Sequence, residues 1–212
     1  MPSQPNPPQR RYPKGEARRR AILEAATEVF ATFGYRNGSL RDVAAAADIT
    51  HAGVRHYFPT KAELLQAVLN WRDEQAIRRM ASTDEPFGVL RGWIEAAEHN
   101  QNAPHMVELQ VSLASEATSP DHPMYTYLLE RYDFAVAFLT SAFADLDRRG
   151  MLSPGVSPDT AARTLVAVTD GVQTQWLLRR ERVDMGGIVR GHIERLLSAD
   201  ARPALLDSGS PD

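Results

Sequence analysis

SLRDVAAAADITHAGVRHYFPTK, residues 39–61, reads as two short helices joined by a tight turn and followed directly by the capped start of a third. Leu40 to Ala47 has the spacing of a small amphipathic helix, with Leu40, Val43, Ala44 and Ala47 on one face. Ser39 suits its N-cap, because the hydroxyl accepts from a first-turn N–H that has no helical partner. Ala44 is small where two steeply crossing helices approach closely. Asp48 takes the turn, a position where Gly is easiest but Asp tolerates a left-handed backbone. Thr50 offers the cap of a second helix, 51–57, in which Val54 points back at the first. This is the layout of a helix-turn-helix, whose second helix enters the major groove of DNA.

The charge is distributed in the same sense. A formal net charge of −3 averages two unlike parts. Residues 1–61 hold ten Lys/Arg and five Asp/Glu, or +5, so the remaining 151 residues hold 14 and 22, or −8. A basic N-terminal third on an acidic body points to polyanion binding confined to one end. At 212 residues and 43% hydrophobic, the chain can bury a sizeable core in one large domain or two small ones. It has no cysteine, which excludes disulfide scaffolds, thiolate metal sites and cysteine nucleophiles. The polar, Pro-rich N-terminus has no apolar run fit for a signal peptide, and no segment approaches about 18 consecutive apolar residues. A cytoplasmic, soluble chain with no membrane partner is expected.

Outward from the opening stretch, the pattern is helical throughout. Residues 1–13 carry five prolines and no hydrophobic pattern, as a disordered arm would. A helix follows over 15–33, with Ile22, Ala25, Ala26, Val29, Phe30 and Phe33 at helical spacing and Gly34 as its C-cap. Thr60-Lys61-Ala62-Glu63 is a capping box that opens a long helix to Met80. Further helices are expected over 86–101, 104–117, 123–149, 158–180 and 187–198, with Ser157-Pro158 marking one start and Gly150 one end. No stretch alternates with period two, so no sheet is expected. The expectation is an all-α chain of about nine helices: arm 1–13, a three-helix DNA-binding domain 14–62, a helical bundle 63–200 and a disordered tail 201–212.

The run from Gly34 to Leu64 resembles the DNA-binding domain of the TetR family of transcriptional regulators. The matching residues are Gly34-Tyr35, Ser39, Val43-Ala44, the turn Ala47-Asp48-Ile49-Thr50, and Tyr57-Phe58-Pro59-Thr60-Lys61-Ala62-Glu63-Leu64. Asp48 replaces the commoner Gly of the family's turn. Arg55 stands where the family often has a phosphate-contacting Tyr, and Ala62 replaces the usual Glu. Arg is itself a phosphate or guanine ligand, so the class carries over but an operator sequence does not. Weaker motifs at Ala161-Ala162-Arg163, Asp170–Leu178 and Val183-Asp184-Met185 resemble an actinobacterial-type branch of the same family.

Candidate DNA contacts follow. The recognition helix offers Thr50, His51, Ala52, Gly53, Arg55, His56 and Tyr57. Arg55 has two readings, a bidentate pair with guanine O6 and N7 or a phosphate contact alone. Gly53 costs about 1 kcal/mol in a helix, which close approach to DNA would justify, or it is incidental. Ser39 and Arg41 at the first helix, and Lys61 at a helix N-terminus, are placed for phosphates. Arg10, Arg11 and Lys14 on the arm can enter a minor groove or simply add long-range attraction. The competing reading of the whole stretch is a structural helix pair inside a bundle.

Helices 123–149 and 158–180 are apolar over more than one face, which implies either a central position in the bundle or a partner. The resemblance implies a homodimer through these helices, placing two recognition helices on a pseudo-palindrome of double-stranded DNA. It also implies a small-molecule effector held between the middle helices. Trp93, His105, Met106, Leu109, Leu113, Tyr127, Phe134, Gln173 and Trp176 are the candidates to line its site, each with plain core packing as the alternative. The six His residues show no metal-ligand spacing, and there is no nucleophile elbow or Gly-rich phosphate loop, so no metal, cofactor or enzymatic activity is expected. The implied function is a ligand-released repressor. An activator or ligand-independent DNA binder stays open beside it, as does, from another class, a helical small-molecule carrier or interaction module.

Overall fold

The structure, a computed structural model, describes residues 12–81, 86–122 and 124–206. Arg10 and Arg11 of the expected arm, the Lys14 side chain, and the tail beyond 206 lie outside what is described. Among the described residues there are ten α-helices and no strand. They are α1 Tyr12–Asn37, α2 Leu40–Ala46, α3 His51–Tyr57, α4 Lys61–Ala81, α5 Gly88–Asn100, α6 Pro104–Glu116, α7 Tyr125–Arg148, α8 Pro158–Leu178, α9 Met185–Leu196 and α10 Arg202–Leu206. The chain divides into two compact units within α4, between Arg72 and Asp73.

In the first unit α2 packs on α1 and α3 on α2. The buried side chains are those whose spacing marks the inner faces, among them Ile22, Ala26, Phe30, Val43, Ala44, Val54 and Leu64. The turn between α2 and α3 is closed by two hydrogen bonds, Ile49 N–H to the Ala44 carbonyl at 3.0 Å and Asp48 N–H to the Ala45 carbonyl at 3.3 Å. That nested pair is a Schellman motif, and it requires the residue past the cap to be left-handed. Asp48 supplies it at φ 51, as the sequence predicts. Gly34 differs from expectation. Its φ of 75 and ψ of 163 kink α1 rather than end it, and a further turn runs on to Asn37. Past the kink Tyr35 sets its ring edge on Phe30 at 5.8 Å, while Phe33, expected on the inner stripe, is 55% exposed.

The second unit is built around α8, which packs on α6, α7 and α9. Leu165, Val172 and Trp176 meet Leu139, Phe143 and Leu146 of α7, Val189 and Ile193 of α9, and Leu90 and Ile94 of α5 in one core. Ser157 caps α8 by accepting from Thr160 N–H at 3.2 Å, with Pro158 at the first helical position. Asp184 likewise caps α9 through Gly187 N–H at 3.0 Å, so that helix starts ahead of the expected 187. Residues 201–206, expected to begin a disordered tail, instead form α10. Ala201 and Leu205 are buried in the main core, and the Arg202 guanidinium donates to the Leu197 carbonyl at 3.2 Å. Two apolar residues four apart are enough to dock a single turn on an existing core, and too few to show as a periodic pattern.

Candidate nucleic-acid interface

Every DNA-contact residue expected from the sequence falls in the first unit, at the starts of α2 and α4 and along α3. α3 is seven residues long and would not hold as an isolated helix, so its ends and one buried side chain must fix it. Val54 is fully buried, facing α2 as expected. At the N-terminus, Thr50 accepts from Gly53 N–H through its hydroxyl at 3.0 Å. At the C-terminus, buried Phe58 donates its N–H to the Val54 carbonyl at 2.9 Å. The remaining face turns outward: His51, Ala52, Arg55 and His56 are exposed, with Gly53 and Tyr57 half-buried beside them. A Cβ at Gly53 would stand 3.2 Å from the Thr50 hydroxyl oxygen, so glycine here leaves room for the cap that starts the helix.

Ser39 and Thr50 are committed to capping. Ser39 N–H donates to the Asp42 carboxylate at 2.9 Å, its hydroxyl donates to the same oxygen at 2.6 Å, and Asp42 N–H returns to the hydroxyl at 3.3 Å. These bonds from Ser39 hold the Asp42 carboxyl below its ordinary range, with Lys61 adding a smaller attraction. Arg41 beside it is exposed. α4 opens with the expected capping residues, Glu63 N–H donating to the Thr60 hydroxyl at 3.1 Å. Lys61 is half-buried with its ammonium 4.4 Å from the Tyr35 ring centroid. Burial pushes that ammonium's pKa down and Asp42 pushes it back. Burial likewise raises the Tyr35 phenol. Arg19 places its guanidinium 5.4 Å from the Phe58 ring, over the residue that ends α3.

Arg19 and Tyr35 were not singled out from the sequence. The signals for them were the run Arg18-Arg19-Arg20 and the Gly34-Tyr35 pair, neither of which names a partner. Geometrically, the first unit presents a convex helix face carrying Arg55 and two imidazoles. Exposed Arg41 and the aromatic-braced cations Arg19 and Lys61 sit on the elements flanking it. Such a face offers hydrogen-bond donors to base edges and positive charge to phosphates.

The residues expected to line an effector site are not gathered into one place. Trp176 belongs to the main core, with the Arg180 guanidinium 5.2 Å from its ring centroid. Gln173 is buried next to it in α8. Met106, Leu109 and Tyr127 are buried, and Leu113 is half-buried. Two residues do not fit an interior site. Phe134 is 52% exposed and stacks on Phe138 at 6.0 Å on the outer side of α7, and His105 sits in a surface pair with Glu108 at 3.3 Å. Spacing alone put them on helices, but not on the inner side of those helices.

Within the second unit a polar cluster lies between helices. Arg131 of α7 grips Asp73 of α4 with two hydrogen bonds, at 2.7 and 3.2 Å. Burial opposes the guanidinium's charge, but the Asp73 carboxylate holds it protonated more firmly than usual. Tyr132 donates to the Asp170 carboxylate of α8 at 2.6 Å, and Trp93 donates its indole N–H to the Thr169 hydroxyl at 3.0 Å. Burial raises the phenols of Tyr127 and Tyr132, and it raises the Asp170 carboxyl against the opposing effects of Tyr132 and Arg131. The Tyr127 hydroxyl is buried with no hydrogen-bond partner. Among the described residues no group of three His, Cys, Asp or Glu could hold a metal ion, and no helix is long and apolar enough to cross a membrane.

Comparison with known proteins agrees with this division into a reading head and a helical body. Residues 22–68 match the family model for bacterial regulatory proteins of the tetR family, and residues 90–198 match that for the C-terminal region of BetI-type transcriptional repressors. The chain is 26% identical over 175 residues to the HTH-type transcriptional repressor BepR of Brucella suis biovar 1, covering 79% of this chain and 84% of that protein. In fold it is similar to a TetR transcription regulator from Haloarcula marismortui, with a TM-score of 0.71, 17% identity, and coverage of 86% of this chain and 100% of that one. It is also similar to SmeT, the repressor of the Stenotrophomonas maltophilia multidrug efflux pump SmeDEF, with a TM-score of 0.67, 19% identity, and coverage of 92% and 96%.

Proposed function

This chain belongs to the TetR family of transcriptional regulators, and we propose that it is a repressor that binds a pseudo-palindromic operator as a homodimer and is released by a small-molecule effector. The observation that carries the DNA-binding part is the outward face of α3. It is a short helix capped by Thr50, pinned by Val54 and ended by Phe58, with Arg55, His51 and His56 left free of the fold's own packing. A helix built only to pack would not hold its polar side outward between flanking cations.

The dimer is supported by what the second unit leaves uncovered. Phe134 and Phe138 stack on α7, and Leu178 at the end of α8 is 79% exposed. Large apolar groups gathered on two adjacent helices mark an interface, here one with a second copy. Two heads related by a twofold axis would read half-sites about one helical turn, or a multiple of it, apart. Effector release is supported by the polar cluster and by the relatives' printed roles as repressors, and it requires ligand and operator to oppose each other reciprocally. The protein acts in this reading on DNA in the cytoplasm.

The test is fluorescence anisotropy with genomic fragments across a salt series. A sequence-selective complex that weakens steeply with salt is expected. No complex at low salt would sink the reading and favour the helical carrier. A complex that no effector weakens would favour a ligand-independent binder.

A further inference from the structure

Arg131 stands at the centre of a polar cluster that DNA reading does not use. Its Nε and one terminal nitrogen are occupied by Asp73. Tyr127, one helical turn earlier on the same face of α7, is close enough to interact with both charges, yet its hydroxyl is buried without a partner. Tyr132 follows Arg131 in α7 and donates to Asp170, which itself interacts with Arg131. Trp93 reaches α8 one residue away, at Thr169.

Two features of this cluster are unmet within the protein. Two carboxylates share one guanidinium, and that guanidinium is bonded to Asp73. Asp170 is therefore a half-buried carboxylate whose hydrogen-bond partner is a neutral phenol. A buried charge without a bonded counter-charge is costly. So is a buried hydroxyl without a hydrogen bond, since it loses water and gains nothing in return. A protonated amine meets both needs at once, as counter-ion to Asp170 and as N–H donor to the Tyr127 oxygen. The rings of Tyr127, Tyr132 and Trp93 would then face an apolar or aromatic body and add attraction for the cation. An anion would instead bring a third negative charge to the cluster, and a neutral molecule would leave Asp170 as it is.

We infer that the effector of this chain is a hydrophobic amine, bound as its ammonium between Asp170 and Tyr127. This rests on the ligand-released reading above, and it names the chemical class of the ligand.

Three probes of one size and three charges test it: phenylbutylamine, phenylbutanol and phenylbutyrate, titrated calorimetrically into the full chain. The amine is expected to bind at least tenfold more tightly than the other two. Asp170→Asn keeps the shape and the Tyr132 contact, and should weaken amine binding about 10- to 150-fold, the range of a hydrogen bond to a charged group. Tyr127→Phe should act with opposite signs, raising the melting temperature of the unliganded protein while weakening the amine several-fold. A purely structural tyrosine would not split those two readouts. Equal or tighter binding of the alcohol or the carboxylate, unchanged amine affinity in Asp170→Asn, or no amine binding at millimolar concentration would each overturn the inference. Operator binding without any probe is measured alongside. If it persists while the amine fails, the ligand class is refuted and the DNA-binding reading stands; if the amine binds and the operator does not, the reverse holds.

Discussion

Replacing Gly92 by alanine should destabilise the second unit, although alanine is the better helix former. Gly92 lies inside α5, where the substitution alone would gain about 1 kcal/mol of helix propensity. Its new Cβ, however, would stand 2.4 Å from Met80 Cγ, 3.2 Å from Met80 Cβ and 3.3 Å from Met80 Cα. Met80 is buried near the end of α4. The first contact can be relieved by turning the Met80 thioether arm, but the other two yield only if α4 and α5 move apart. Overpacking of this kind costs about 1–3 kcal/mol, which leaves a net loss of about 0–2 kcal/mol, centred near 1. Urea unfolding of the parent, Gly92→Ala, Met80→Ala and the double variant measures it as a cycle. The coupling should be about 1 kcal/mol or more, because Met80→Ala removes the nearest clashing atom and lets the alanine at 92 recover part of its helical gain. A stabilised Gly92→Ala protein, or strict additivity around the cycle, would refute the close approach of these two helices.

The other predictions concern the head, the cluster and the outer face. Thr50→Ala removes the α3 cap and should cost about 1 kcal/mol in unfolding free energy and weaken operator binding, while Thr50→Ser keeps both. Arg55→Ala should weaken operator binding by about 1–3 kcal/mol and relax preference at one base pair if Arg55 reads guanine, or lower the salt slope by about one if it binds phosphate; anisotropy titrations at several salt concentrations decide, and no change in either removes Arg55 from the interface. Burial raises the Asp170 carboxyl above its ordinary 3.8, so the folded state binds that proton more tightly than the unfolded chain. Its stabilising contribution is then present below pH 3.8 and lost as pH rises through the folded value. Asp170→Asn should melt higher than the parent at pH 7, with the gap closing below about pH 4; a variant less stable at pH 7 contradicts this. Phe134→Glu places a charge on the exposed ring stack of α7 and should shift sedimentation toward the monomer without loss of helical circular dichroism.

What the sequence disclosed, and what it withheld, follows the range of the interactions. The turn at Asp48 was legible because its chemistry is local: a cap, a left-handed residue and a second cap within a dozen positions. The starts of α4 and α8 were legible for the same reason, through Thr60 and Ser157. The kink at Gly34 was misread as an end because glycine permits either outcome, and the packing of Tyr35 on Phe30 decides between them. α10 was missed because its burial depends on a core assembled from distant helices. The polar cluster lay beyond reach altogether. Arg131 and Asp73 are 58 residues apart, and Tyr132 and Asp170 are 38 apart. Helical periodicity gives each residue a face but not a partner, which is also why Tyr127 and Phe134 were grouped although one is buried and the other exposed.

The central claim, that paired α3 faces read DNA, is tested most directly by selecting binding sites from random duplex DNA with the purified chain. The account predicts enrichment of a twofold-symmetric sequence whose half-sites lie about one helical turn, or a multiple of it, apart, and loss of that enrichment in Arg55→Ala. Recovery of no enriched sequence, or of a single asymmetric site, would contradict it.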